Sequence, residues 1–251
     1  MIFHVGSTFL VPMLHFTLFL WIFDGMKKNV LIKCLVYLFG MFCFFVTPLQ
    51  SKAQSDELKI EIDKIMLAKK SDYPAIYQKL EEMGTKDQTN WAPKYYAALA
   101  RITQFYRIVI QNKKDPKINL ELKENIEQVE RLLQEASLID NNQEVLILSA
   151  FSKIMKVKLD PDNGYQLYSN DIAHLLEQAK AKGSTENPRL LMVDAFFISV
   201  EPSSLFVVVN KDLAKENLKR ALEIFKSGEP EKYKYMPTWG EVFAQDLYYS
   251  L

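Results

Sequence analysis

From Ser55 onward the apolar positions recur at helical spacing almost without interruption. Trp91, Tyr95, Leu99, Ile102, Tyr106 and Val109 advance by four, four, three, four and three, which lines one face of a long helix. Ile126, Val129, Leu133 and Ala136 advance by three, four and three on the next. The pattern predicts helices near 56–70, 73–83, 91–111, 120–138, 142–157, 166–182, 188–200, 211–227 and 238–250. Their boundaries carry suitable chemistry. Asn187-Pro188 supplies a cap and a first-turn proline, Asn210 caps the helix after it, and Thr238-x-x-Glu241 reads as a capping box. Only Leu205-Phe206-Val207-Val208-Val209 has strand character, and one strand makes no sheet; it reads as a buried connector. The fold class is all-α, with about nine helices in 54–251.

A fixed period runs through these helices. Leu133-x-x-Ala136, Leu176-x-x-Ala179 and Leu218-x-x-Ala221 share a core at steps of 43 and 42 residues. After each of the first two, a polar turn, Ile139–Glu144 or Gly183–Pro188, leads into a new helix. Helix, turn and helix recurring in constant phase is the signature of an α-solenoid. In it, the small Ala lets neighbouring helices approach and the Leu fills the groove alongside.

The sequence resembles a divergent tetratricopeptide (TPR) array, and more closely the secreted bacterial TPR-like proteins. The stretches that carry the resemblance are Asn90-Trp91-Ala92-Pro93-Lys94-Tyr95-Tyr96-Ala97-Ala98, Glu144–Ala150, Asn187-Pro188-Arg189, Ala221–Phe225 and Pro237-Thr238-Trp239-Gly240. They span roughly 90–240. The resemblance implies stacked antiparallel helical hairpins and a concave face that takes a protein or peptide. The chain departs from the family at 201–215, where Pro202 is followed by Ser-Ser-Leu-Phe-Val-Val-Val instead of a Gly-rich turn. Its repeat also exceeds the usual 34 residues, with extra length at 112–119, 158–165 and 201–210.

The N-terminal part is of a different kind. Met26-Lys27-Lys28 precedes the apolar run 30–49, which ends at Pro48 and is followed by Ser51-Lys52-Ala53-Gln54. A basic start, an apolar stretch of about a dozen residues and small residues at Ser51 and Ala53 read as a secretory signal peptide over 26–53. Cleavage after Ala53 leaves Gln54 first, and the protein is expected to be periplasmic or secreted. The competing reading is a retained membrane anchor, since the run is nearly long enough to span. Residues 1–25 hold no basic residue and an apolar run broken by Pro12 and His15; they read as an upstream extension of the start site, or else as a second membrane segment.

Over the whole chain 31 basic and 31 acidic residues balance, but 54–251 keeps 27 of the first and 30 of the second. A mildly acidic body argues against nucleic acid as partner. Both cysteines, Cys34 and Cys43, precede Ala53, and His174 is the one histidine beyond it. Disulfides, thiolate metal sites and Cys nucleophiles are therefore excluded from 54–251, as is any Ser-His-Asp triad without His174. Asp160-Pro161-Asp162-Asn163-Gly164 with Asp171 suggests an EF-hand. However, Gly falls one place early and a short Asp stands where the bidentate Glu belongs, so a helix-connecting turn is the better reading. The acidic pairs Glu81-Glu82 and Glu121/Glu124 lie on solvated helix faces, with no sign of a convergent glycosidase pair. No catalytic, cofactor or metal residue is assigned.

The aromatic-rich helix carries the binding candidates. Tyr95, Tyr96, Phe105 and Tyr106 populate more than one face, with Arg101 and Arg107 nearby. Rings not spent on packing are expected on the concave surface, since aromatics and Arg are enriched at binding surfaces. Arg189, just inside a helix start, is expected to pair with an acidic neighbour or a partner carboxylate. The leading expectation is a non-catalytic scaffold binding a protein or peptide, with no cofactor. The alternatives are a carboxylate-dependent enzyme or enzyme subunit, and a membrane-anchored accessory protein if the N-terminal segment is kept.

Overall fold

The computed structural model describes residues 56–69, 71–111, 116–160, 162–200, 210–228, 237 and 239–251; the side chains of 109–111 and 116–119 are outside this set. The chain divides into two units, Met1–Asp56 and Glu57–Leu251, and the helical array belongs to the second. The expected leader at 26–53 with its cleavage site at Ala53 and Gln54, the segment 1–25, the expected connector Leu205–Val209 and Thr238 lie outside the described residues.

Nine helices occur among the described residues: α1 (56–67), α2 (Tyr73–Lys86), α3 (Ala92–Gln111), α4 (Pro116–Ile139), α5 (Gln143–Leu159), α6 (Gly164–Lys182), α7 (Pro188–Ser199), α8 (Lys211–Ser227) and α9 (Glu241–Ser250). The class is all-α. Helices pack on their successors, as α2 on α3, α3 on α4, α5 on α6 and α7 on α8. The odd helices also touch one another, α3 to α5, α5 to α7 and α7 to α9, while the even ones pack chiefly on their neighbours in sequence. This makes two layers of helical hairpins, odd inside and even outside, in agreement with a helical-repeat arrangement.

Sequence explains the layering. α5 is apolar nearly all round and is buried from Gln143 to Val157 except at its partly exposed Ser149, Lys153 and Lys156, as an inner helix must be. α8 carries its apolar residues on one stripe, Ala214, Leu218 and Ala221, and exposes most of the rest. The three Leu-x-x-Ala pairs are all buried, with Ala136, Ala179 and Ala221 wholly enclosed in α4, α6 and α8. In α3 the residues Ala97, Ala98 and Ala100 are equally enclosed, which permits close approach from several sides.

Asparagine side chains accept at the starts of four of the described helices. Asn142 accepts from Glu144 N and Val145 N at 3.0 and 3.1 Å, and Asn187 accepts from Arg189 N and Leu190 N at 3.0 and 3.4 Å. Asn210 accepts from Leu213 N at 3.0 Å, and Asn90 from Ala92 N at 3.1 Å. The last helix differs from the expected capping box. It begins at Glu241, with Gly240, which has no side chain to cap with, at the cap position and Trp239 buried before it. Gly240 has φ +119°, and a Cβ there would meet Phe225 Cζ at 2.7 Å, so the turn requires glycine.

Asp162 and Asn163 form a turn between α5 and α6. Asp160 Oδ1 accepts from Asn163 N at 3.3 Å, and a Cβ on Gly164 would stand 2.7 Å from Val157 Cα. Asp171 is drawn to Lys153 at 3.2 Å. The glycine serves close helix packing.

Candidate functional site

Two features of the inner layer stand out. The first is a polar clamp with no exposed surface, built at the starts of α5 and α7. Arg189 Nε donates to Glu144 Oε2 at 2.8 Å and Nη2 to Oε1 at 3.0 Å, a bidentate pair in which both side chains are fully enclosed. Asn187 Nδ2 donates to the same carboxylate at 2.7 Å, and Arg189 Nη1 to the Pro237 carbonyl at 2.9 Å. Gln143 Nε2 reaches the carbonyls of Ala179 and Ser184 at 3.0 and 2.8 Å. Beside it, the Trp239 indole N–H donates to the Tyr95 hydroxyl at 2.7 Å, joining residues 144 apart in the chain. Burial, and next the charge of Glu144, pushes the Tyr95 hydroxyl far above the ordinary phenol range.

Charges at equivalent positions of consecutive inner helices thus neutralise each other inside the protein. The geometry is that of a structural pin: every polar group named is directed at another part of the same chain. It fixes α5, α7 and the C-terminal segment on α3.

The second feature is aromatic. Phe151 of α5 lies 5.2 Å from Phe196 of α7 and 5.7 Å from Phe243 of α9, centroid to centroid, and Phe243 meets Tyr106 of α3 at 4.7 Å, edge to face. Trp239 stacks on Phe151 at 6.0 Å. These rings fill the inner layer. A ten-residue helix such as α9 is marginal alone, but burying Phe243 and Leu247 contributes about 1.5–3 kcal/mol each, enough to hold it docked.

What stays open is a cleft of about 290 Å³ where α1 and α9 both reach α3, lined by Met66, Thr103, Tyr106, Arg107, Val242, Phe243 and Asp246. Val242 is half exposed there. The Tyr106 hydroxyl is pushed above the usual phenol range, by burial first and then by the charge and hydrogen bond of Asp246. Arg107 is already committed: its guanidinium donates to the Ala68 and Met66 carbonyls and caps the end of α1.

The six candidate residues therefore separate. Tyr95, Tyr96 and Phe105 are wholly enclosed and pack the core, with Tyr95 and Tyr96 in edge contact at 5.1 Å. Tyr106 alone of the four rings reaches the inner cleft. Arg101 lies elsewhere, donating to Glu81 at 2.6 Å and Asn125 at 3.1 Å and stacking over the Tyr77 ring at 3.7 Å. Arg189 pairs with an acidic neighbour, Glu144, of this same chain. Residues missed in the sequence are Glu144, Trp239 and Phe243. Glu144 had a usable signal: it stands two residues after its capping Asn142, as Arg189 does after Asn187, so opposite charges occupy one register position in successive repeats. His174 is exposed and bonded to Gln178 at 2.8 Å.

Among solved structures, the HusA haemophore from Porphyromonas gingivalis is similar, with a TM-score of 0.64 and 18% identity. The match covers 79% of this chain and 92% of that one. At that identity the likeness is one of fold. No family model and no curated protein sequence matches the chain; the helix contacts agree with a helical-repeat arrangement. No helix among the described residues is long and apolar enough to cross a membrane.

Proposed function

We propose that this protein is an exported, non-catalytic binding protein in which the helical array is a rigid frame and the inner cleft takes an apolar side chain of a protein or peptide partner. The observation that supports the reading is the cleft itself. Tyr106, Val242 and Phe243 offer an apolar surface on helices held by the clamp, with the Asp246 carboxylate at its edge. At about 290 Å³ it suits one side chain better than a whole cofactor. Trp239 and Phe243 are buried against Phe151 beside it, which supports a single-side-chain site over an open groove there. Export rests on the leader at 26–53, and the similar fold of a haemophore, a binding protein rather than an enzyme, is in keeping with a binding role. Affinity capture from envelope extract tests it: the exported protein retains a partner that a Val242→Asp variant does not. Equal capture by both would overturn the site.

A second reading takes its ligand from that neighbour. Haem iron is held by His, Cys, Met or Tyr. Of these types the inner cleft offers Met66 and Tyr106. The fit is poor, because the cleft is small and burial and Asp246 both keep the Tyr106 hydroxyl protonated. A Soret shift on adding haem, lost in Tyr106→Phe, would favour this reading over a peptide.

A further inference from the structure

The first hairpin of the array carries a second apolar stripe. α1 turns Leu58, Ile62 and Ile65 into the core. Its opposite side exposes Ile60 by 56% and Leu67 by 86%, seven residues apart and so on one line of the helix. Asp63 and Lys64 stand between them, both exposed. With α2 this stripe borders an open groove of about 800 Å³ that has Ala68 and Ile76 at its floor and shares no residue with the inner cleft. Within a helical array each hairpin is covered by its neighbour, and an end hairpin stays soluble by turning a polar face outward. Ile60 and Leu67 break that rule.

The order of the four residues is its own complement. Apolar, acidic, basic, apolar becomes apolar, basic, acidic, apolar when the helix is turned end for end. An α1 laid antiparallel on the α1 of a second copy, about a two-fold axis between 63 and 64, therefore sets Ile60 of each against Leu67 of the other and Asp63 of each against Lys64 of the other. Asp63 makes no ion pair among the described residues. Lys64 donates to Glu61 of its own helix at 2.7 Å, but it is half exposed and an ammonium has three donors, so it can serve both carboxylates. Across the groove, Asp72 and Lys79 again carry opposite charges. Such a mixed rim suits a copy of itself better than an anionic lipid surface or a strongly charged peptide. We propose that the exposed stripe of α1 is a self-association surface, on which two copies of this chain pair antiparallel as a two-fold dimer.

Sedimentation velocity of the exported protein between about 1 and 100 µM is expected to show the mass rising from one chain to two. Leu67→Lys changes a side chain that is mostly exposed, and it is expected to keep the helical circular dichroism while weakening the dimer about 10-fold or more. Oxidative crosslinking reads the register, since 54–251 holds no cysteine of its own. Chains carrying Ile60→Cys and chains carrying Leu67→Cys are expected to crosslink when mixed. Either variant alone is expected not to, because its two sites lie about 10 Å apart along the helices. One chain mass throughout the concentration range overturns the proposal, and so does a dimer that Leu67→Lys leaves at full strength. A mixture that crosslinks no better than either variant alone overturns the antiparallel pairing. Flotation of single chains with phosphatidylcholine vesicles, lost in Leu67→Lys, would give the stripe to a lipid surface and also count against the dimer.

Discussion

Replacing Arg189 with Met probes the clamp most sharply. Methionine keeps the length and apolar body of the side chain, so the change removes mainly the guanidinium. The head makes two bonds to Glu144, at 2.8 and 3.0 Å, and one to the Pro237 carbonyl at 2.9 Å. Without it, a fully enclosed carboxylate retains a neutral donor, Asn187, at 2.7 Å. Removing one partner of a buried ion pair costs about 3–5 kcal/mol, because the other charge stays buried without compensation. That corresponds to a fall in unfolding temperature on the order of 10 °C for a chain of this size. The double variant Glu144→Gln/Arg189→Met should recover part of the loss, since the buried charge is gone and the amide oxygen still accepts from Asn187, while the Pro237 carbonyl and the new amide N–H groups are left without these partners, at about 1 kcal/mol or more each. Urea unfolding followed by circular dichroism measures both, with an unchanged slope showing that the native state is not simply loosened. A cost below about 1 kcal/mol for the single variant would refute the reasoning, as would a double variant equal to the sum of its singles.

Three further outcomes are expected. Gly240→Ala should destabilise by about 1–3 kcal/mol in the same urea assay, because φ +119° is strained for Ala and its Cβ meets Phe225 and Arg189. Ala179→Leu should cost about 1–3 kcal/mol, since Ala179 is fully enclosed and its carbonyl is bonded to Gln143. Burial holds the Asp194 carboxyl above its ordinary value of 3.8, against the pull of Lys180. The folded state therefore binds that proton more tightly than the unfolded state, and this contribution is lost as pH rises from about 3.8 through the folded value. Asp194→Asn should flatten that part of the stability–pH curve and raise stability at pH 7; a curve parallel to that of the unaltered protein would contradict the assignment.

Local order was legible in the sequence because helix periodicity and caps are local chemistry. The 3.6-residue period placed nine helices, and Asn187 and Asn210 cap where they were expected to. The Leu-x-x-Ala phase located enclosed alanines in three outer helices. Contacts across repeats were less legible. A helical face shows that Tyr95 is apolar on one side, but not that Trp239, 144 residues on, will donate to its hydroxyl. Arg189 was expected to pair with an acidic neighbour, but composition places charges on the surface, which concealed Glu144 as that partner. The last helix starts later than the pattern predicts, at Glu241 after Gly240, and Thr238 lies outside the described residues.

The proposed role makes the inner cleft at Val242 the place where a partner docks on the helical frame. It is tested most directly by the affinity of a purified captured partner for three forms of the exported protein: unaltered, Val242→Asp and Tyr77→Ala. Val242 lies at the inner cleft, whereas Tyr77 lies beneath Arg101 in a separate one. Binding should weaken about 5- to 30-fold for Val242→Asp, the equivalent of about 1–2 kcal/mol at an interface anchor, and stay unchanged for Tyr77→Ala. Unchanged affinity for Val242→Asp, in a protein that keeps its helical circular dichroism, would contradict it.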